Sequence, residues 1–321
     1  MNAPSLVAEP VAVSDSNMYP QQNPPSQSQR AHVLVAMPVS GGETEISSAL
    51  SAAVRAAERT LVSIKPEGGS CLPHVFNRLW VEGLGRAGNP YTHFAMLHND
   101  VEAAPNWVDT LIDEMDATGA VVMSAVVGIK DPKGVTSTGV GSPDDEYDYR
   151  RITATELHKL PETFGLSHIA MSGIWPAEYT AGKRLLVNTG CWITRLDWPG
   201  WHAKDADGFL KFFFEQRCRI QVWPDGHYCP EFSPEDWRMS RYVAREGGLV
   251  MATRKIRTVH YGKYGFASNS RWGAPTDVEI DGFNAQKRLA FAAAIQDEGG
   301  GEIGSSKTQK DPVEEASLCS V

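Results

Sequence analysis

The chain has 321 residues, of which 42% are hydrophobic and 21% charged, a composition that is typical of a soluble globular protein and excludes a largely disordered one. Its net charge of −9 disfavours nucleic acid as the main partner, because binding to phosphate backbones calls for a basic surface. The five cysteines form no Cys-x-x-Cys pair, so we expect neither a disulfide framework nor a structural zinc site.

The two ends of the chain differ from its middle. Residues 1–30 are rich in Pro, Gln, Ser and Asn, and 296–321 are rich in Gly, Ser and charged residues, so we predict two disordered tails around one folded domain at 31–295. No signal peptide pattern opens the sequence, and the longest apolar run, GAVVMSAVVG, is too short to span a bilayer. We therefore expect a cytoplasmic protein without a transmembrane segment.

The first half of the domain alternates between strand and helix patterns. A buried strand in HVLVAMPV is followed by helical spacing in EISSALSAAVRAAERTL and again in PHVFNRLWVEGLGR. A strand in HFAMLH, a helix from Trp107 to Met115 and a strand in AVVMSAVVG follow. The order strand, helix, helix, strand, helix, strand predicts an α/β fold with helices on both faces of a mostly parallel sheet. In such sheets ligands bind beyond the carboxyl ends of the strands.

The second half opens differently. Residues 131–183 are rich in Gly, Pro, Ser and Asp, which predicts long loops around one weak helix, and loops of this length are usually functional or mobile. After them we predict strands in RLLVNTGCWITR and RIQVWPD, a helix in SPEDWRMSRYVAREGG and a last strand in KIRTVHYG.

The first polar constellation is His98-Asn99-Asp100, at the end of the strand HFAMLH. Mg²⁺ and Mn²⁺ sites for nucleotide phosphates use one or two carboxylates, with phosphate and water completing the shell. A single Asp at a strand end suits that design. The alternative is a simple Asx-type turn leading into the helix that Pro105 opens, and the local sequence leaves both interpretations open.

Two further polar signals lie near the end of the domain. Glu235 and Asp236 start a helix, where a carboxylate acts either as a general base or merely as a favourable first-turn charge. His260 near a strand end is either a structural residue or an imidazole donor that Mn²⁺ accepts.

Nine tryptophans form the remaining signal. We assign Trp192 and Trp223 to the core, because they lie within predicted strands. Trp175, Trp201 and Trp272 lie among Gly and Pro, where an exposed ring would stack on a sugar.

Taken in order, these segments resemble the glycosyltransferases of the GT-A fold, closest to the large family-two type of phage and bacteria. The resemblance covers residues 32–273. VLVAMPVSGG is similar to the family's first strand and nucleotide loop, HFAMLHNDV to its strand and Asp-x-Asp motif, PEDW to its Glu-Asp motif and TVHYG to its late His. His98 stands where the family has its first Asp, and Asp100 keeps the last one.

The resemblance implies a single GT-A-type domain that transfers a sugar from a nucleotide-sugar to a hydroxyl of a glycan, protein or lipid-linked acceptor, with inversion. It implies Asp236 as the base with Glu235 as its substitute, and Mn²⁺ or Mg²⁺ held on the diphosphate by Asp100 and His260. The implied donor-binding residues are Pro38, Val39, Ser40, Asn77, His98 and Asn99. The implied acceptor-side residues are Asn188, Thr189, Gly190, Trp237 and Trp272.

Two other functions stay open on the sequence. A sugar nucleotidyltransferase would have a similar sheet, but it would normally carry a basic residue in the loop after the first strand, and PVSGGETE has none. A non-catalytic carbohydrate-binding protein on a decayed transferase fold is favoured by His98 in place of an Asp.

Overall fold

The computed structural model describes residues 30–39, 43–85, 88–131, 133–262 and 265–268. The chain divides into two units, Met1–Arg30 and Ala31–Val321, and every element below belongs to the second. The predicted tails at 1–30 and 296–321 lie outside the described residues, apart from Arg30.

The first half of the domain contains the predicted alternation of strands and helices. Its elements are β1 (His32–Val39), α1 (Glu43–Val54), β2 (Leu61–Gly68), α2 (Leu72–Leu84), β3 (His93–Leu97), β4 (Val101–Ala103), α3 (Trp107–Thr118) and β5 (Val122–Ala125).

The second half is richer in short strands. Its elements are β6 (Val135–Gly141), β7 (Tyr149–Thr153), α4 (Ala154–Leu157), β8 (Thr163–Phe164), α5 (Leu166–Met171), β9 (Arg184–Leu186), β10 (Cys191–Arg195), β11 (Arg217–Val222), β12 (Tyr228–Ser233), α6 (Glu235–Arg245), β13 (Val250–Thr253), β14 (Thr258–Tyr261) and β15 (Gly265–Ala267).

The central sheet has the strand order β2-β1-β3-β10-β5-β13-β8. β1 pairs in parallel with β2 and β3, and β13 pairs in parallel with β5. β10 is antiparallel to both β3 and β5, and β8 is antiparallel to β13. Five strands therefore run one way and two the other, which confirms the predicted mixed, mostly parallel sheet.

Helices cover both faces of this sheet, as predicted. Alternate residues of β1 belong to different cores: Leu34 packs with α2 and α6 on one face, and Val35 packs with α1 and α3 on the other. Smaller sheets surround the central one, namely β4-β14-β15, β7-β6-β9 and the hairpin β11-β12.

The core on the α2 face is dominated by aromatic rings. Trp80 contacts Phe94 and Trp201 edge to face, each with ring centroids 5.0 Å apart. Trp192 is fully buried, which confirms its assignment to the core, but Trp201 is 0% exposed and Trp175 is 4% exposed. The expectation that Trp175 and Trp201 offer open faces to a sugar is therefore wrong. Neighbouring Gly and Pro mark turns that bring these rings inward.

Two other parts of the sequence prediction needed correction. β2 was missed because LVSIKPEG contains Pro66, which sheets tolerate on edge strands such as this one. The supposed loops at 131–183 contain the antiparallel pair β6 and β7. Gly139 in β6 suggested a loop, yet a Cβ there would lie 2.6 Å from the Arg150 carbonyl oxygen, so the close strand pairing itself calls for a glycine.

One buried carboxylate fastens α3 to the turn before β2. Asp109, 4% exposed, accepts hydrogen bonds from the backbone N–H groups of Glu58 (2.8 Å) and Arg59 (2.9 Å) and from the Thr60 hydroxyl (2.6 Å). Burial alone would raise the pKa of Asp109, but these hydrogen bonds outweigh burial and hold it below its ordinary value.

We predict that Asp109→Asn lowers the free energy of unfolding at pH 7 by about 1–3 kcal/mol, because an amide cannot accept all three bonds. Since the pKa is depressed in the folded state, the carboxylate's contribution is present above the unfolded pKa of about 3.9 and is lost as pH falls through the folded value. Urea unfolding at several pH values measures this. The control is Asp113→Asn on the same helix. The Asp113 side chain is 58% exposed in its pair with Arg59, so this substitution should lower the free energy of unfolding by less than about 1 kcal/mol. Equal losses in both variants would contradict the prediction.

Candidate functional site

The turn after β3 is held firmly by backbone hydrogen bonds. The N–H of His98 donates to the Gly190 carbonyl (2.9 Å), and the N–H of Val101 donates to the His98 carbonyl (3.0 Å). The N–H of Tyr261, at the end of β14, donates to the Asp100 carbonyl (2.8 Å). Residues 98–100 are therefore held by one bond within the turn and by two segments that are distant in sequence, at Gly190 and Tyr261.

Two side chains meet the Asp100 carboxylate on the same oxygen. Lys130 Nζ lies 2.6 Å from Asp100 Oδ2, and His260 Nε2 lies 3.3 Å from it. The other ring nitrogen of His260 lies 2.8 Å from the Gly128 carbonyl, so it carries a proton there. Burial would raise the pKa of Asp100, but the hydrogen bond and charge of His260, with contributions from His98 and Lys130, hold it well below its usual range.

The structure thus brings together Asp100 and His260, the two residues predicted to share a function. Lys130 was missed by sequence reasoning. The available signal was its place in GIKD, just beyond the apolar run that forms β5, because the carboxyl ends of parallel strands lie at the same edge of a sheet.

Four buried polar atoms at this edge have no hydrogen-bond partner among the described residues: His98 Nε2, Asn99 Nδ2, Asp100 Oδ1 and Thr189 Oγ1. Buried polar groups are nearly always paired, so each exception calls for an explanation. Here the exceptions lie on two segments that contact each other: the N–H of His98 donates to the carbonyl of Gly190, which is the neighbour of Thr189. A polar ligand at this edge would satisfy them.

His98 is neutral in this environment. Its ring packs against Phe76 of α2 with centroids 5.2 Å apart. Burial lowers its pKa to about 4, with Asp100 opposing the shift and with His260 and Lys130 adding to it. At pH 7 the ring therefore adds hydrogen-bonding capacity to the site but no charge.

The groups around Asp100 do not favour a divalent cation in this arrangement. In the part of the chain that the structure describes, no group of three or more His, Cys, Asp or Glu side chains is placed to hold a metal ion. The Asp100 carboxylate is already paired with an ammonium. A divalent ion about 4 Å from that ammonium would be repelled by roughly 8 kcal/mol at an effective dielectric constant of 20. Such an ion could bind Asp100 only after Lys130 moved away, and the Mn²⁺ or Mg²⁺ site stays a prediction.

A second group of charges lies at the start of α6. Asp236 Oδ1 accepts from the N–H of Trp237 (2.7 Å), and Glu235 Oε2 accepts from the Gln216 amide (2.9 Å). Burial raises both pKa values, and that of Asp236 reaches about 8, with the neighbouring Glu235 adding to the shift and Arg151 opposing it. Glu235 is 5% exposed, whereas Asp236 keeps a larger part of its surface accessible.

A single short segment links the two polar groups. The Ser240 hydroxyl of α6 accepts from the N–H of Val187 (2.9 Å), and three residues later the Gly190 carbonyl accepts from His98. Segment 187–190 therefore connects α6, which carries Asp236 in its first turn, to the turn that carries Asp100.

The predicted acceptor-side residues of this segment differ in whether their polar side-chain atoms can bond to a ligand. Asn188 donates to Ser124 Oγ (3.1 Å) and to the Ala125 carbonyl (2.8 Å), and it accepts from the N–H of Cys191 (3.1 Å). Its amide is therefore used inside the protein, where it shapes the turn before β10. Thr189, by contrast, keeps an unpaired hydroxyl.

Two other predicted site residues also have contacts within the protein. Asn77 of α2 donates to the Phe214 carbonyl (2.7 Å) and accepts from the Phe214 N–H (2.8 Å). Trp237 is 0% exposed, with the Arg151 guanidinium 4.2 Å from its ring centroid and Tyr149 against its edge. Donor binding by Asn77 and acceptor binding by Trp237 stay predictions, with these contacts giving each a structural role.

The remaining predicted residues lie at the edges of the described chain. Pro38 and Val39 end β1, where they pair with Glu67 and Gly68 of β2. Ser40 and Trp272 lie outside the described residues.

None of the helices that the structure describes combines the length and the apolar character needed to cross a bilayer.

Of three comparisons with known proteins, the one with solved structures gives matches. No family model matches this chain, and no curated protein matches it. Solved structures that match include a crystal structure of GalNAc-T7 with UDP, GalNAc and Mn²⁺, which is 10% identical with a TM-score of 0.41. The alignment covers 78% of this chain and 47% of that chain, so the present chain spans about half the length of that protein. A likeness of this degree assigns neither a substrate nor a residue role here.

We predict that Asn77→Ala lowers the free energy of unfolding by about 1–3 kcal/mol, because it leaves the backbone of Phe214 without its two hydrogen bonds. Nucleotide affinity, measured below the melting range of the variant, should be unchanged. Calorimetry and ligand titration of the same preparation give both values. Asn77→Asp is the matched control: it keeps the acceptor for the Phe214 N–H but sets an oxygen against the Phe214 carbonyl, so it too should lose stability with nucleotide affinity unchanged. A stable Asn77→Ala variant with weakened nucleotide binding would restore the donor-binding role.

Proposed function

We propose that this chain is a glycosyltransferase of the GT-A type, which transfers a sugar from a nucleotide-sugar to an acceptor hydroxyl. The observation that carries this proposal is a set of four buried atoms, after β3 and before β10, that have no hydrogen-bond partner within the described part of the chain. The Asn99 amide and the Thr189 hydroxyl are hydrogen-bond donors, and the Asp100 carboxylate oxygen is an acceptor. Such a set matches a ligand that has both anionic oxygens and hydroxyls, as a nucleotide-sugar does.

In this proposal Asp236 is the base for the transfer, and its surroundings support that role. Asp236 is buried enough to have a raised pKa, so its ionised form holds a proton more strongly than an ordinary aspartate does. It is still accessible in part, which an acceptor hydroxyl requires. A base whose pKa lies near the working pH combines ionisation with proton affinity most effectively.

The reaction then follows from the two groups. The acceptor oxygen attacks the anomeric carbon as Asp236 takes the proton from that oxygen, and a new glycosidic bond forms. The bond between the anomeric carbon and the phosphate oxygen breaks, and the nucleoside diphosphate leaves with the electron pair. Attack on the face opposite the leaving group inverts the anomeric centre, through an oxocarbenium-like transition state. Glu235, which is less accessible, remains the substitute base.

We expect the pH dependence of kcat/KM to report the ionisation of Asp236. Because the base acts in its deprotonated form and its pKa is about 8, activity should rise by about tenfold per pH unit below 8 and level off above it. The measurement is initial-rate transfer between pH 5.5 and 9. A profile that is flat from pH 6 to 8 would contradict this assignment.

Asp236→Asn should lower the rate of transfer by about 10²–10⁴-fold and yet stabilise the fold at pH 8. The pKa of Asp236 is raised in the folded state, so the unfolded chain binds fewer protons between about pH 4 and 8, and wild-type stability falls as pH rises through that window. The neutral Asn avoids this loss, and each kcal/mol gained raises Tm by roughly 2–4 °C in a domain of this size. Glu235→Gln is the matched control: if it abolishes transfer while Asp236→Asn does not, Glu235 is the base.

Thermal unfolding against UDP, GDP, dTDP, CMP and ADP tests the donor site directly. A ligand at a hundredfold excess over its Kd stabilises by about 2.7 kcal/mol, so we expect one nucleotide to raise Tm by several degrees. Thr189→Val should weaken that shift by removing one hydrogen-bond donor. Thr138→Val is the matched control, because Thr138 also has a buried hydroxyl without a partner but lies in β6. No shift with any nucleotide would overturn the proposal in favour of a non-catalytic binding protein.

A further inference from the structure

The geometry points to Lys130 as the group that binds and neutralises the diphosphate, in place of a divalent cation. This inference rests on the proposed function and identifies which positive charge neutralises the diphosphate of the nucleotide-sugar. It follows from what surrounds Asp100 and from the space that the chain keeps for the lysine side chain.

The position of Lys130 follows from the sheet. It lies in the loop after β5, and β5 is separated from β3 by β10 alone. Because β3 and β5 run the same way, their carboxyl ends lie at one edge of the sheet. Lys130 therefore reaches the turn at residues 98–100, where its ammonium is bonded to Asp100 Oδ2 at 2.6 Å.

A glycine makes room for this side chain. A Cβ on Gly262 would lie 2.9 Å from Lys130 Cδ and 3.5 Å from Lys130 Cγ. A side chain at position 262 would therefore displace the aliphatic part of Lys130 from its present position. The Lys130 side chain is nevertheless 34% exposed, so its ammonium is accessible to a ligand.

The charges and hydrogen bonds suit an anion. An ammonium has three N–H donors, and the bond to Asp100 uses one of them, which leaves two for phosphate oxygens. His98 is neutral at pH 7 and adds no charge. Asp100 is in this view a positioning residue, because its Oδ2 aims the ammonium while its unpaired Oδ1 accepts from a hydroxyl of the donor.

The contribution of Lys130 to the reaction is electrostatic. As the bond between the anomeric carbon and the phosphate oxygen breaks, the electron pair stays on the departing diphosphate, and the ammonium stabilises the charge that develops there. No proton is transferred from Lys130, since a diphosphate leaves as an anion.

The test compares binding of a nucleoside diphosphate with that of its nucleoside, in EDTA and in Mn²⁺. The probe is whichever of UDP, GDP, dTDP or ADP shifts Tm most, and titration calorimetry measures its Kd. For the wild type we expect the same Kd, within about threefold, in both conditions. Lys130→Gln should raise the Kd of the diphosphate by about tenfold or more and leave the Kd of the nucleoside unchanged. Lys130→Arg should restore most of the affinity for the diphosphate. Lys133→Gln, an exposed lysine of the same loop, should behave as the wild type.

Three results would overturn the inference in different ways. If EDTA abolishes binding and Lys130→Gln binds normally in Mn²⁺, a metal ion neutralises the diphosphate, and the proposed transferase function stands. If Lys130→Gln weakens the binding of the nucleoside and of the diphosphate equally, Lys130 has a structural role. If the wild type binds none of the diphosphates in either condition, the proposed function itself fails.

Discussion

The insertion of β10 between β3 and β5 is the constraint on which the site depends. β10 runs against its two neighbours, so its start lies at the edge where β3 and β5 end. The residues before β10 are therefore brought against those that follow the parallel strands. Asn188 fixes this arrangement from within, because its amide bonds to Ser124 and Ala125 of β5 and to the N–H of Cys191 in β10. The N–H of His98 then closes the junction on the Gly190 carbonyl.

Burial raises the pKa of both acidic groups of the site, but their neighbours lead to opposite net shifts. Asp100 has cationic and hydrogen-bonding neighbours that outweigh its burial, so it stays ionised and holds Lys130 and His260 in place. Asp236 is buried beside another carboxyl group, and the opposing charge of Arg151 does not compensate, so its pKa rises to about 8. Environments that push the pKa values of two carboxyl groups apart are a recurrent way of giving them different roles. One aspartate here is suited to orienting charge and the other to accepting a proton.

The acidic character of the whole chain does not extend to this edge of the sheet. The net charge is −9, yet the unpaired atoms of Asn99 and Thr189 are donors, and the Lys130 ammonium lies 2.6 Å from Asp100 Oδ2. A ligand with anionic oxygens would thus meet hydrogen-bond donors and an ammonium at this edge, although the negative net charge of the chain would repel a long polyanion. This contrast is consistent with a small phosphate-bearing donor and with a partner that is not nucleic acid.

Sequence patterns predicted some elements well and failed on others for identifiable reasons. β1 and β3 are short, apolar and bounded by polar residues, and α2 has an apolar stripe that carries Phe76 and Trp80 inward, so local pattern and tertiary position agree. β2 was missed because its proline is acceptable only on an edge strand, and the edge is a property of the sheet. β6 and β7 were taken for loops because Gly139 permits a loop as readily as a close strand pair. Trp201 was placed at the surface because its neighbours form turns, and turns do not reveal which way a ring points.

The sequence by itself determined the α/β class, the mostly parallel sheet and the chemical types at the strand ends, since these depend on periodicity and residue type within short windows. It also identified Asp100, His260 and Asp236 as candidate site residues. Only the tertiary structure decided that Lys130 pairs with Asp100, that Asn77 and Asn188 have their amides engaged inside the protein, and that Trp237 is fully buried. These facts depend on contacts between segments far apart in the chain. A side chain's partners are set by which segments the sheet order brings together, and no local pattern contains that order.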